Sequence, residues 1–198
     1  MSDMLFTLAQ RGRHQQVLRK SRFLAVAEAV RSGEQALTLL RELADPAASH
    51  NCWAYRIGQD YRFNDDGEPG GSAGRPILQA IESQAMDGVM VVVTRWYGGI
   101  KLGVGGLARA YGGTATACLR QAERVPIVPM ARLALHAGFA ELALLKARLK
   151  ELDAEVESEQ FQADGVQLCL RLPEARVAEI ERLISDLTHG RSNAKRLD

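Results

Sequence analysis

Asp65, Asp66 and Glu68 place three carboxylates within four positions of one another. Such a cluster can hold a divalent cation or divide acid and base duties. His50 and Cys52 stand two apart, so on a strand they would share a side, as a thiol nucleophile and its base must. The largest concentration of unusual residues is TRWYGGIKLGVGGLARAYGGTATACLR, residues 94–120, which holds seven of the chain's 18 glycines. Glycine lets backbone N–H groups approach an anion closely, and Arg95, Lys101 and Arg109 add full positive charge beside them. That combination suits phosphate.

Each constellation has a plainer reading. The acidic stretch DDGEPGGSAGRP lacks the EF-hand spacing. Asp66-Gly67 suits a tight turn instead, with carboxylates paired to Arg95 or Lys101. For His50 and Cys52 no third, orienting group can be named, and a cysteine among apolar neighbours is commonly just buried. His14, His136 and His189 assemble no Ser-His-Asp set. In the glycine-rich stretch, Gly98 to Gly103 has Walker A spacing, but Val104 and Gly105 occupy the lysine and hydroxyl positions. Gly103-Val104-Gly105 with Ala108 fits a degenerate dinucleotide fingerprint, yet Val128 stands where the ribose-binding acid belongs. Gly112, Gly113, Ala115 and Ala117 are equally what a helix needs to pack close to a neighbour. Trp96 offers a stacking face to a base, or belongs to the core. The expected binding set is therefore Arg95, Trp96, Gly98, Gly99, Lys101, Gly103, Gly105, Gly106 and Arg109. The acidic turn Asp65, Asp66 and Glu68 is expected to be structural, and the sequence calls for no catalytic residue, metal or cofactor.

The elements that must carry these residues follow from periodicity. LFTLAQ, HQQVLRK and RFLAVAEAV read as strands, GEQALTLLREL as a helix stopped by Asp45-Pro46, and NCWAYRIG with YRFND as a strand pair. PILQAIESQAM has a helical apolar stripe with Pro76 in its first turn. VMVVVT reads as a strand buried on both faces, and the glycine-rich loop leads from it to a helix over about 107–123. On that helix Arg109, Gly113, Thr116 and Arg120 would form a basic, solvent-facing edge opposite Leu107, Tyr111, Cys118 and Ala122. VPIVPM, residues 125–130, marks the boundary between domains spanning 1–125 and 130–198. Beyond it the order is strand, helix, strand, strand, helix and a basic solvated tail, which suggests a ferredoxin-like sandwich whose last strand is short or missing. The fold class is therefore α+β in two domains.

The 198 residues are 46% hydrophobic and 25% charged, with a net charge of +1. That is an ordinary globular composition without a global field, so attraction for phosphate must be local. Three separated cysteines suit a reduced compartment. No apolar run is long enough to cross a bilayer, and the first residues lack the build of a secretory signal. A cytoplasmic protein without membrane contact is expected. Its oligomeric state is not legible.

Four stretches in order, KSRF (20–23), His50 with AYRIG (54–58), DDGEPGGSAGRP (65–76) and RWYGGIKLGVGGLARAYG (95–112), closely resemble the IMPACT/YigZ family. The resemblance implies an N-terminal β-α-β fold like domain IV of elongation factor G and the GHMP kinases. It also implies a C-terminal domain like the ferredoxin-like last domain of that factor. Eukaryotic IMPACT is a translational regulator that binds the activator of an amino-acid-starvation kinase. The resemblance therefore implies a non-enzymatic, translation-associated regulator that binds RNA, the ribosome or an acidic protein. A nucleotide-binding enzyme related to GHMP kinases and a protein-only adaptor are the alternatives.

Overall fold

The computed structural model describes residues 4–197, and the chain divides between Ile127 and Val128 into two compact units. The first is built on strands β1 (Phe6–Leu8), β2 (Gly12–Leu18), β3 (Ser21–Ala29), β4 (His50–Ile57), β5 (Asp60–Asn64), β6 (Val89–Trp96) and β7 (Arg124–Pro126). Its helices are α1 (Gly33–Leu43), α2 (Gly74–Ser83) and α3 (Val104–Gln121). Five strands form an antiparallel sheet in the order β2-β3-β6-β4-β5, while β1 and β7 pair separately.

The central strand shows why the sheet is covered on both faces. Successive side chains alternate, so Val89, Val91 and Val93 join the core with Phe23, Ile77, Ile81, Leu107 and Tyr111 from β3, α2 and α3. Met90 and Val92 pack on the opposite side with Trp53, Ala36 and Leu39 of β4 and α1. VMVVVT thus forms a doubly buried strand, as its run of apolar residues requires.

Two differences from the sequence expectation bear on function. Helix α3 begins at Val104, earlier than expected, because Gly103 with φ +72° takes the N-cap position and Gly105 and Gly106 enter the first turn. Their low helix propensity hides a start that tertiary structure enforces. The β2–β3 turn is made by Arg19 and Lys20, whose φ values are +44° and +66°. Both lie in the left-handed region that two-residue hairpin turns demand and that Asn and Gly normally fill.

The second unit contains β8 (Met130–Gly138), α4 (Phe139–Glu151), β9 (Glu155–Phe161), β10 (Gly165–Pro173), a 3-10 turn at Glu174–Arg176, α5 (Val177–Leu187) and β11 (Lys195–Leu197). The antiparallel order is β11-β8-β10-β9. Leu133, Leu135, Leu168 and Leu170 meet Leu145, Leu149, Ile180 and Ile184 of the helices in one core. The tail expected to be solvated instead contributes β11, which pairs Lys195 with Ala134 and Leu197 with Arg132. Alternation is too short to reveal a three-residue strand; β8 supplies the open edge that orders it.

Candidate functional site

Glu68 is the centre of the site. Its side chain is 4% exposed, and Oε1 receives 2.7 Å hydrogen bonds from Arg95 Nη1 and Tyr111 Oη. His50 Nε2 lies 3.8 Å from the same oxygen. The acidic turn that carries Glu68 is held by its own carboxylates, through hydrogen bonds to backbone amides. Asp65 Oδ1 accepts from Ala73 N at 2.9 Å and Gly74 N at 2.8 Å, and Oδ2 accepts from Gly71 N at 2.8 Å. Asp65 therefore caps α2 from outside the helix, in place of the N-cap residue Ala73, which lacks a capping side chain. Asp66 Oδ2 accepts from Asn51 N at 2.6 Å, fastening the turn to β4. Among the described residues no cluster of three candidate ligands is placed to hold a metal ion.

The position of Arg95 corrects the sequence reading. The expected binding set includes it as a cation beside the loop, whereas it is the seventh residue of β6, only 5% exposed, and stands as the acidic turn's ion-pair partner. Parity along the strand places it on the face of Val91 and Val93. There Glu68 neutralises it, and Ser21 Oγ accepts from Nη2 at 3.3 Å. Trp96 faces the other way. Its Nε1 donates to Asp45 Oδ2 at 3.2 Å and Arg22 lies 3.7 Å over the ring, so that face is already occupied. Neither side chain is open to an anion.

His50 and Cys52 do not form a nucleophile and base. The Cys52 thiol is fully buried and donates to Asp65 O at 3.0 Å; burial pushes it up to about 12. Such a thiol stays protonated and unreactive at neutral pH. His50 Nδ1 lies 2.8 Å from Asp66 O. A carbonyl only accepts, so Nδ1 carries a proton and donates to it, while Nε2 faces Glu68.

The remaining loop residues are open. Tyr97 is 48% exposed and Val104 59% exposed, and Gly99, Lys101, Gly103 and Gly105 also face solvent. Two amides are spoken for, since Tyr97 N donates to Ser49 Oγ and Gly98 N to Ser21 Oγ. The first helical hydrogen bond of α3 runs from Leu107 N to Gly103 O, and Gly103 supplies no side-chain cap. Val104, Gly105 and Gly106 therefore present N–H groups that helix geometry leaves without an intrahelical acceptor. They stand beside a cleft of about 560 Å³ whose walls include His50, Glu68, Arg95, Tyr97, Lys101 and Leu107. A second groove of about 460 Å³ is lined by Arg19, Leu102, Gly106 and Arg109. Along α3, Arg109, Gly113 and Arg120 are exposed and Thr116 is half-buried, while Leu107, Tyr111 and Cys118 are buried, as the spacing predicts.

With this arrangement in view, similarity to known proteins decides the relationship. Residues 19–119 match the Impact N-terminal domain, and 135–191 match a domain of unknown function, DUF1949. The chain belongs to the IMPACT family. It is 44% identical over 176 residues to the Thermus thermophilus IMPACT family member in pol 5′region, covering 88% of this chain and 97% of that one. Escherichia coli IMPACT family member YigZ is 34% identical over 87% of this chain and 88% of its own length. Mouse Protein IMPACT is 39% identical over 95 residues, covering 43% of this chain and 29% of the mouse protein. A crystal structure of a hypothetical protein, 30% identical, superposes with a TM-score of 0.72 over 100% of this chain and 99% of that one. No helix among the described residues is long and apolar enough to cross a membrane.

Proposed function

We propose that this IMPACT family member is a translation-associated regulator that acts by binding, and that RNA phosphates are received on the surface formed by Arg19, Lys20, Lys101 and Arg109. The observation that carries the reading is the β2–β3 turn. Two basic residues hold left-handed backbone there, a conformation that costs a non-glycine residue about 1 kcal/mol or more and concentrates at functional sites. The turn lies directly against the glycine-rich loop: a Cβ built on Gly98 would stand 2.0 Å from Lys20 O. Arg19 and Arg109 line one groove and Lys101 the adjacent cleft, with Leu102 shared between them. Among the described residues none of these four cations makes an ion pair. Uncapped α3 amides add the positive end of a helix dipole.

The translation role implied for eukaryotic IMPACT supports this assignment, as does a second unit whose strand order β11-β8-β10-β9, with two helices, suits the ferredoxin-like reading. The first unit's antiparallel sheet, with α2 and α3 on one face and α1 on the other, is an α+β layering compatible with the likeness to domain IV of elongation factor G. The chemistry at His50 favours binding over nucleophilic catalysis, because the neighbouring thiol is buried.

Filter binding with single-stranded RNA tests the proposal. Four phosphate contacts give a slope of log K against log salt of about −3, hence about 50-fold weaker binding at 200 mM than at 50 mM salt. Lys101→Ala with Arg109→Ala should bring the slope to about −1.4 while leaving the unfolding midpoint unchanged, since both side chains are exposed. Absence of RNA retention at low salt would overturn the reading.

A further inference from the structure

The cleft beside Glu68 has a polarity that a row of phosphate contacts does not need. It offers donors, the Lys101 ammonium and the N-terminal amides of α3 that follow Gly103. It also offers acceptors. Both hydrogen bonds to Glu68 end on Oε1, so Oε2 is left without a protein donor among the described residues. His50, held by the hydrogen bond from Nδ1 to Asp66 O, turns Nε2 toward Glu68 at the same wall. Tyr97 and Leu107 supply apolar wall. Arg95 lines the same cleft, is 5% exposed, and has a fully buried Nε with no partner. A buried guanidinium with an unused donor leaves a binding place for an acceptor unfilled.

We infer that this cleft is a site for a guanosine 5′-phosphate unit, its phosphate at Lys101 and the start of α3 and its base against Tyr97 with the N1–H and N2–H edge toward Glu68. Guanine carries two adjacent N–H donors that can share the open oxygen Oε2 of Glu68. Adenine presents the ring acceptor N1 beside its amino group, which would oppose the acceptor oxygen of Glu68. The volume of about 560 Å³ lies in the range of small-molecule sites. The Tyr97 ring, 5.3 Å from Arg95 and about half exposed, is an available stacking surface.

The inference is independent of the RNA proposal, because free GMP is the probe. Calorimetric titration of the full chain at low salt should show saturable GMP binding at least tenfold tighter than AMP, inorganic phosphate or leucine. Tyr97→Ala should weaken GMP at least tenfold with the unfolding midpoint retained, since the residue is about half exposed and outside the core. Glu68→Gln should erase the preference for GMP over AMP; where that variant fails to fold, Tyr97→Ala carries the test. Displacement of GMP by the trinucleotide UGU and not by UAU would make a guanine in RNA the source, and failure of UGU to displace it would make the free nucleotide the source. Equal affinity for GMP and AMP, tighter binding of leucine or phosphate, or GMP affinity unchanged by Tyr97→Ala would each overturn the assignment.

Discussion

Replacing Glu68 with alanine lowers the unfolding free energy of the chain by about 3–5 kcal/mol, the cost of leaving one member of a buried ion pair without its partner. The reason is local. Arg95 is 5% exposed and cannot turn out to water, because its Nη2 donates to Ser21 and its strand is the middle of the sheet. Tyr111 Oη, also buried, loses its acceptor at the same time. Converting Arg95 to methionine in the same chain should recover part of the loss, since an apolar pair avoids both desolvation and the orphaned charge. Denaturant unfolding monitored by circular dichroism measures the effect. A loss below about 1 kcal/mol, the range of exposed pairs, would mean that the pair is solvated and contradict the geometry.

The second large effect is expected at Gly98. An alanine Cβ there would meet Lys20 C and O at 2.0 Å and Ser21 N at 2.5 Å, all backbone atoms that cannot swing aside. The loop must lift from the hairpin turn, which breaks the hydrogen bond from Gly98 N to Ser21 Oγ and unseats the acceptor used by Arg95. Gly98→Ala should cost about 3 kcal/mol. Gly99→Ala is the control: nothing lies within 4 Å of its Cβ, and its φ of +87° carries only local strain. Comparison of the two unfolding midpoints separates collision from strain. Equal, small losses would show that the loop does not rest on the turn at Arg19 and Lys20.

Much of the fold was legible because its signals are periodic. VMVVVT announces a doubly buried strand, GEQALTLLREL has both its helix pattern and its stop, and Asp66-Gly67 turns where two carboxylates need a turn. The pairing of Glu68 with Arg95 was one of two partners that charge alone allowed. Parity would have chosen between them, because Arg95 continues the Val89, Val91, Val93 face whereas Lys101 lies beyond the strand. Other features had no local signal. Asp65 caps a helix that starts nine residues later, far outside the reach of a capping box. Ser21 serves a loop and a strand that approach it only after folding. Arg19 and Lys20 hide a left-handed turn, since their residue types argue against one. The start of α3 was obscured by glycines that weaken helix propensity while making the approach to an anion possible.

The account rests on the open, cationic backbone from Gly99 to Gly106 and the neighbouring turn at Arg19 and Lys20. Titrating ¹⁵N-labelled protein with single-stranded RNA at low salt, with every backbone amide observed separately, tests this most directly. Saturable shifts should concentrate at Arg19, Lys20, Gly99, Lys101, Val104, Gly105 and Gly106, and fade together as salt is raised. Shifts confined to other surfaces, or no shift at these amides while RNA is bound, would contradict it.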